Sequence, residues 1–221
     1  MAIAFASAAT AKLDLGTANA SRLGDRGTVA LWVKSDGNTA IEGIFQWRTS
    51  AGDEMTIIDF HGNYGIALRA NYPGGISISI PSHTSSTGWT HLAITWDKAA
   101  DEFKFFSNGD QVGTTQTGLG PHPATPAFFL VGSTNFNEGY VGSMQEFGAW
   151  SSALSASEIA LLGKLRLPPP LVRPSDLRLY QRLFDGSPVD SIAQIVATQT
   201  GGVAAPHLPM MPTLTTLPVL I

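Results

Sequence analysis

The sequence contains no cysteine. That excludes a disulfide framework, a thiolate metal site and a cysteine nucleophile. No apolar run reaches the roughly 18 residues that a membrane-spanning helix needs. The opening stretch, Met1 to Gly16, has small residues that imitate a cleavage site but no basic leader region, so it reads as a first strand rather than a signal peptide. Charge is sparse, at 14% of residues, and the net value of −4 has the wrong sign for a nucleic-acid partner. Motifs that carry chemistry are missing too. His61, His83, His91, His122 and His207 show neither H-x-H nor H-E-x-x-H spacing, which argues against zinc. Neither a G-x-S-x-G elbow nor a phosphate-binding glycine loop occurs.

What is present is a succession of short alternating runs. At 221 residues the chain is long enough for one sandwich or barrel domain plus an extension. The clearest stretch is Gly88 to Gly113. Leu92, Ile94 and Trp96 fall on one face of a strand, with His91, Ala93, Thr95 and Asp97 on the other. Phe103 and Phe105 then alternate with Lys104 and Phe106. Asn108-Gly109 predicts a hairpin turn, since both residues tolerate the positive φ of a type I′ turn. Further strands are predicted over 28–34, 41–48, 55–60, 65–70, 76–80, 128–131 and 140–150, and Gly118 to Pro126 reads as a loop. The only well-marked helix follows Ser155, which has capping-box spacing to Glu158 ahead of Ile159, Leu161 and Leu162. The pattern is all-β: a two-sheet antiparallel sandwich with one short helix.

Four motifs together resemble laminin-G-like, concanavalin A-like jelly rolls. Trp89-Thr90-His91-Leu92-Ala93 matches the family's W-x-H-x-A strand, and Ser107-Asn108-Gly109 its V-N-G hairpin. Gly142-Ser143-Met144-Gln145-Glu146 matches G-x-I-D-E, and Ala153 to Ile159 matches A-L-S-x-x-E-I. The resemblance spans roughly residues 3–162 and implies a jelly roll. Gln145 departs from it by standing where the family has an aspartate, so no role of that acid carries over. Glycoside hydrolases occur on the same architecture and need two carboxylates close together. Their E-x-D-x-E strand is absent, and Asp53 and Glu54 would point to opposite faces of a strand. A glycosidase therefore ranks third among the readings, and the chain is expected to be non-enzymatic.

No cofactor is expected. Calcium is the one candidate ion, because some laminin-G-like domains bind it through loop oxygens and Asp36, Asp53, Asp59 and Asp110 fall in or near loops. Sugar binding needs aromatics and planar hydrogen-bonding groups on loops. Trp47, Arg48, His61, Asn63, Tyr64 and Tyr72 are the candidates, against the alternative that Trp47 is core; Trp32, Trp89, Trp96 and Trp150 are assigned to the core or its rim.

The chain divides at residue 163. Residues 1–163 carry eight Lys/Arg and fourteen Asp/Glu, residues 164–221 five and three. Nine of the fourteen prolines lie in the second part, with Pro168 opening a Pro-Pro-Pro triplet that favours a stiff spacer. No Asp, Glu, Lys or Arg follows Asp190. An uncharged aliphatic tail needs a cover, either its own sandwich or a neighbouring subunit. The neighbour is the preferred reading, with Pro168, Tyr180, Phe184, Leu208, Met210, Met211 and Leu217 as the assembly arm. The leading functional expectation is a structural or adhesion component of a homo-oligomeric assembly, with a virus or phage particle (capsid decoration or tail) as its location. The runner-up is an extracellular carbohydrate-binding, lectin-like module.

Overall fold

In the computed structural model of the protein, residues 2–5, 11–37, 41–49, 54–60, 65–71, 78–80, 87–119, 126–183, 198–206 and 209–210 are described. The strands are β1 (Ala2–Phe5), β2 (Lys12–Asp14), β3 (Arg26–Ser35), β4 (Ile41–Thr49), β5 (Glu54–Phe60), β6 (Gly65–Asn71), β7 (Ile78–Ile80), β8 (Thr90–Asp97), β9 (Glu102–Ser107), β10 (Asp110–Gln116), β11 (Pro126–Val131) and β12 (Gly142–Trp150), followed by β13 (Leu177–Gln181), β14 (Thr198–Thr200) and β15 (Val203–Ala205). Two α-helices, α1 (Thr17–Ala20) and α2 (Ala156–Gly163), and a 3-10 turn at Pro169–Leu171 complete the described elements.

Two antiparallel sheets form. The first runs β10-β9-β8-β3-β12-β1-β15, with β13 also on β12; the second runs β14-β2-β11-β4-β5-β6-β7. The period-2 pattern explains the core between them. Val29, Leu31 and Val33 of β3, Leu92, Ile94 and Trp96 of β8, and Phe103 and Phe105 of β9 meet Phe45, Trp47, Met55, Ile57, Phe129 and Val131 of the facing sheet. At the Asn108-Gly109 turn both residues have positive φ, 51° and 87°, as the hairpin signal requires. The jelly-roll sandwich expected from the sequence is what forms.

Strand β12 does two jobs. Its first half pairs with β1 (Ile3 opposite Met144) and its second half with β13 (Tyr180 opposite Gly148). A bulge between Gln145 and Gly148 separates the halves, with Glu146 at φ 55°. Helix α2 closes the outer face of the first sheet. Ser155 caps it through the Glu158 amide, and Glu158 answers on the Ser155 amide, the capping box read from sequence. Beneath it a second apolar layer gathers Ala30, Ala93, Phe106, Trp150, Leu154, Ile159, Leu162, Val172, Leu177 and Tyr180. The small Ala30 and Ala93 let the helix approach the strands.

Three boundaries differ from the sequence reading. The first strand is two strands in different sheets, β1 and β2. Pro126 opens β11 instead of closing the preceding loop. The described part of 164–221, read as lying outside the sandwich pattern, adds β13 to β12, β14 to β2 and β15 to β1. These strands are short, and backbone pairing to strands far away in sequence specifies them, so their own side-chain pattern carries little signal.

Candidate functional site

Arg48 near the end of β4 and the loop that joins β11 to β12 meet in a partly exposed platform. On β4, Phe45 and Trp47 point into the core, which leaves Gln46, buried beneath the loop, and Arg48, half-buried, on the opposite face. The loop is tied down at both ends: the Gly132 amide donates to the Ile44 carbonyl (2.9 Å), Gly43 to Glu138 (2.7 Å) and Tyr140 to Gly132 (2.8 Å). Gly43 has no room for a side chain, because a Cβ there would strike Thr134. Within the loop the Asn137 amide donates to the Thr134 carbonyl (3.1 Å), with Asn137 at φ 62°. The Thr134 hydroxyl donates to Glu138 Oε2 (2.9 Å) and accepts from the Phe136 amide (3.2 Å). The Asn135 amide donates to Gln46 Oε1 (2.7 Å), fastening the loop to the sheet. This bracing holds Phe136 outward with 57% of its surface exposed. The Arg48 guanidinium lies 4.7 Å from its ring centroid. The cation supports the ring from one side and leaves its exposed part as an apolar contact face.

Of the residues singled out for sugar binding, Arg48 lies against the Phe136 ring. Trp47 does not: it is buried on the inner face of β4, opposite Phe129 and Met55, because strand alternation puts it on the same side as Phe45. His61, Asn63, Tyr64 and Tyr72 lie outside the described residues. Phe136 was missed from sequence. Its signal was an aromatic within Asn135-Phe136-Asn137-Glu138-Gly139, a polar turn with no alternation to draw the ring inward.

A row of polar and aromatic side chains crosses the outer face of the first sheet. His91, Trp32 and Gln145 are cross-strand neighbours on β8, β3 and β12. The His91 and Trp32 rings meet edge to face at 5.3 Å, and the Arg166 guanidinium lies 5.9 Å from the Trp32 ring. Burial pushes the His91 imidazole down to about 3, so the ring is neutral. Next along, the Tyr180 hydroxyl donates to Glu146 Oε2 (2.6 Å), and burial together with that carboxylate raises the phenol far above its ordinary value.

Of the arm residues, Pro168, Tyr180 and Met210 are described, and Tyr180 and Met210 contact the first sheet. Pro168 precedes the 3-10 turn, Tyr180 is buried against Glu146, and the Met210 sulfur accepts from Gln145 Nε2 (3.7 Å). Phe184, Leu208, Met211 and Leu217 lie outside the described residues. So do Asp53 and the side chain of Asp59 among the acids considered for calcium. Asp110 forms an ion pair with Lys164 (2.6 Å), and among the described residues no group of three or more His, Cys, Asp or Glu side chains gathers as a metal site.

Two open clefts lie at the rims of the sandwich. One, of about 520 Å³, is lined by residues 21–26, Asp97, Lys98, Ala99 and Ser151. The other, of about 670 Å³, is lined by Phe5, Lys34, Ser35, Asp36, Thr87 and Gly142 among others.

Comparison with known proteins places this geometry. A laminin G family model described as "Concanavalin A-like lectin/glucanases superfamily" matches residues 7–160. Mouse (Mus musculus) neuronal pentraxin-2 is 26% identical over 142 residues, covering 60% of this chain and 32% of its own length. The chain thus spans about a third of that curated relative. Among solved structures, a putative carbohydrate binding protein from Bacteroides ovatus aligns with a TM-score of 0.66 at 18% identity, covering 91% of this chain and 58% of that one. The CBM40 of Ruminococcus gnavus IT-sialidase, bound to α2,3-sialyllactose, aligns with a TM-score of 0.60 at 17% identity, covering 73% and 95%. At such identities the two structures speak for the fold.

Proposed function

The chain belongs to the concanavalin A-like lectin/glucanases superfamily, and from that premise we propose that it is a non-catalytic carbohydrate-binding module whose contact surface is the Phe136–Arg48 platform. The observation that carries the reading is the exposed Phe136 ring. Single exposed hydrophobic residues are common on protein surfaces; what sets this ring apart is that a braced loop holds it against a guanidinium. The named relatives support the choice: one is called a carbohydrate binding protein and another was solved with a bound sialylated sugar. Sugar stacks on the exposed part of the ring, which Arg48 braces from beside it.

The test is a glycan array followed by titration of the best ligand. Phe136→Ala is expected to weaken binding at least tenfold, the loss of one stacked contact worth about 1.4 kcal/mol, without changing thermal stability. Absence of binding to every glycan on the array, or unaltered affinity in Phe136→Ala, defeats the reading.

A second reading, an assembly component of a virus or phage particle, rests on the segment after Asp190, which lacks Asp, Glu, Lys and Arg. Val203 within it is 62% exposed. Light scattering across a concentration series tests it: a monomer at every concentration, unchanged when co-expressed with neighbouring gene products, sinks that reading.

A further inference from the structure

The rim cleft at the start of β3 gathers three cations that make no salt bridge among the described residues. Its walls are rigid. The Trp96 indole N–H donates to the Gly24 carbonyl (2.8 Å), and the Lys98 amide donates to the Asp25 carbonyl (2.7 Å). Gly27 permits this crossing, since a Cβ there would strike the Trp96 ring. Asp97 holds the opposite wall, its Oδ1 accepting from the Ala99 amide (2.9 Å) and the Ala100 amide (3.3 Å). Ser21 and Ser151 are turned to backbone carbonyls, at Ala18 (2.8 Å) and Asp176 (3.4 Å).

Three cations, Arg22, Arg26 and Lys98, line this 520 Å³ space with only two acids, Asp25 and Asp97. None of the three cations makes a salt bridge among the described residues, although Arg26 and Asp97 are cross-strand neighbours. The other acid near Lys98, Asp101, has its carboxylate taken by the Gly118 and Leu119 amides at 2.7–2.9 Å. The described lining therefore carries one net positive charge, forked guanidinium donors that match an oxyanion, and in Asp97 Oδ2 an oxygen able to accept from a hydroxyl. We propose that this cleft is a second binding site, separate from the Phe136 platform, for a monoanionic, hydroxyl-rich ligand: a saccharide bearing one carboxylate or one sulfate ester.

The Trp96 indole N–H reports on the wall, so titration of the 15N-labelled full chain reads the site directly, with the resonance assigned by its loss in Trp96→Phe. Glucuronate and glucose 6-sulfate are the two anionic probes, with glucose and inorganic sulfate as controls. A saturable shift with either anionic sugar, at least tenfold tighter than with glucose or sulfate and weakened at least tenfold in Arg26→Gln/Lys98→Gln, is the expected result. Which of the two probes responds distinguishes carboxylate from sulfate. The shift persists in Phe136→Ala, so its presence or absence is independent of the platform. No shift with either probe overturns the proposal, as does an equal response to glucose, an equal response to inorganic sulfate, or full binding by the double variant.

Discussion

His91 is a buried imidazole with a neighbour that fixes its position but not its charge. Its backbone is held by Asn108, whose Oδ1 accepts from the His91 amide (3.0 Å), and its ring packs on Trp32. Desolvation depresses its folded value to about 3, while the unfolded chain titrates near 6.5. Above pH 6.5 both states are neutral and His91 costs nothing. As pH falls from 6.5 toward 3, the unfolded chain takes up a proton that the folded chain refuses, and stability is lost at about 1.4 kcal/mol per pH unit. His91→Gln is expected to remove that slope. Chemical denaturation at pH 7 and pH 5 should show wild type losing about 2 kcal/mol more than the variant. Equal losses would mean that the ring is hydrated or paired when protonated. The sequence placed His91 on the face opposite Leu92 and Ile94, and no local pattern reveals that this second face is also covered.

The cover is an element-scale fact. Helix α2 was legible because its signals are local: a capping serine, a glutamate three residues on and apolar spacing. Strand β13 was not, since Leu177–Gln181 reads equally as helix or strand until β12 offers it a ladder. Their joint packing changes the expected effect of truncation. Residues 164–183 supply Val172, Leu177, Leu179 and Tyr180 to buried layers, and the Val172 carbonyl accepts from the Trp150 indole (2.8 Å). Each such side chain stabilises by about 1.5–3 kcal/mol, so their sum rivals the about 5–15 kcal/mol total stability of a domain. A chain ending at Lys164 is thus expected to lose near-ultraviolet dichroism and cooperative melting. A folded truncated sandwich would show that the layer beneath α2 is dispensable.

For the whole molecule, closure is the issue. β14 and β15 are three-residue strands joined by Gly201-Gly202, and they cap β2 of one sheet and β1 of the other. Their described side chains are mostly exposed, so backbone pairing supplies most of what holds them. Removal of 198–221 bares two strand edges at once. Bare edges pair with other chains, so this deletion is expected to leave the melting of the core cooperative but to produce concentration-dependent association in light scattering. A strictly monomeric deletion product would show that β1 and β2 are protected without the clasp.

The sequence by itself determined the class of fold, the inward faces of β3, β8 and β9, the Asn108-Gly109 turn and the capped helix, because each depends on neighbours within a few residues. It also named Arg48 beside Trp47 among the candidates for sugar binding, without separating their faces. The tertiary structure decided that Trp47 is core, that Phe136 stands exposed above Arg48, that Arg22, Arg26 and Lys98 share one cleft, and that the extension returns to both sheets. Those outcomes depend on pairing between residues far apart in the chain, such as Asn135 with Gln46 and Trp96 with Gly24, for which periodicity carries no signal.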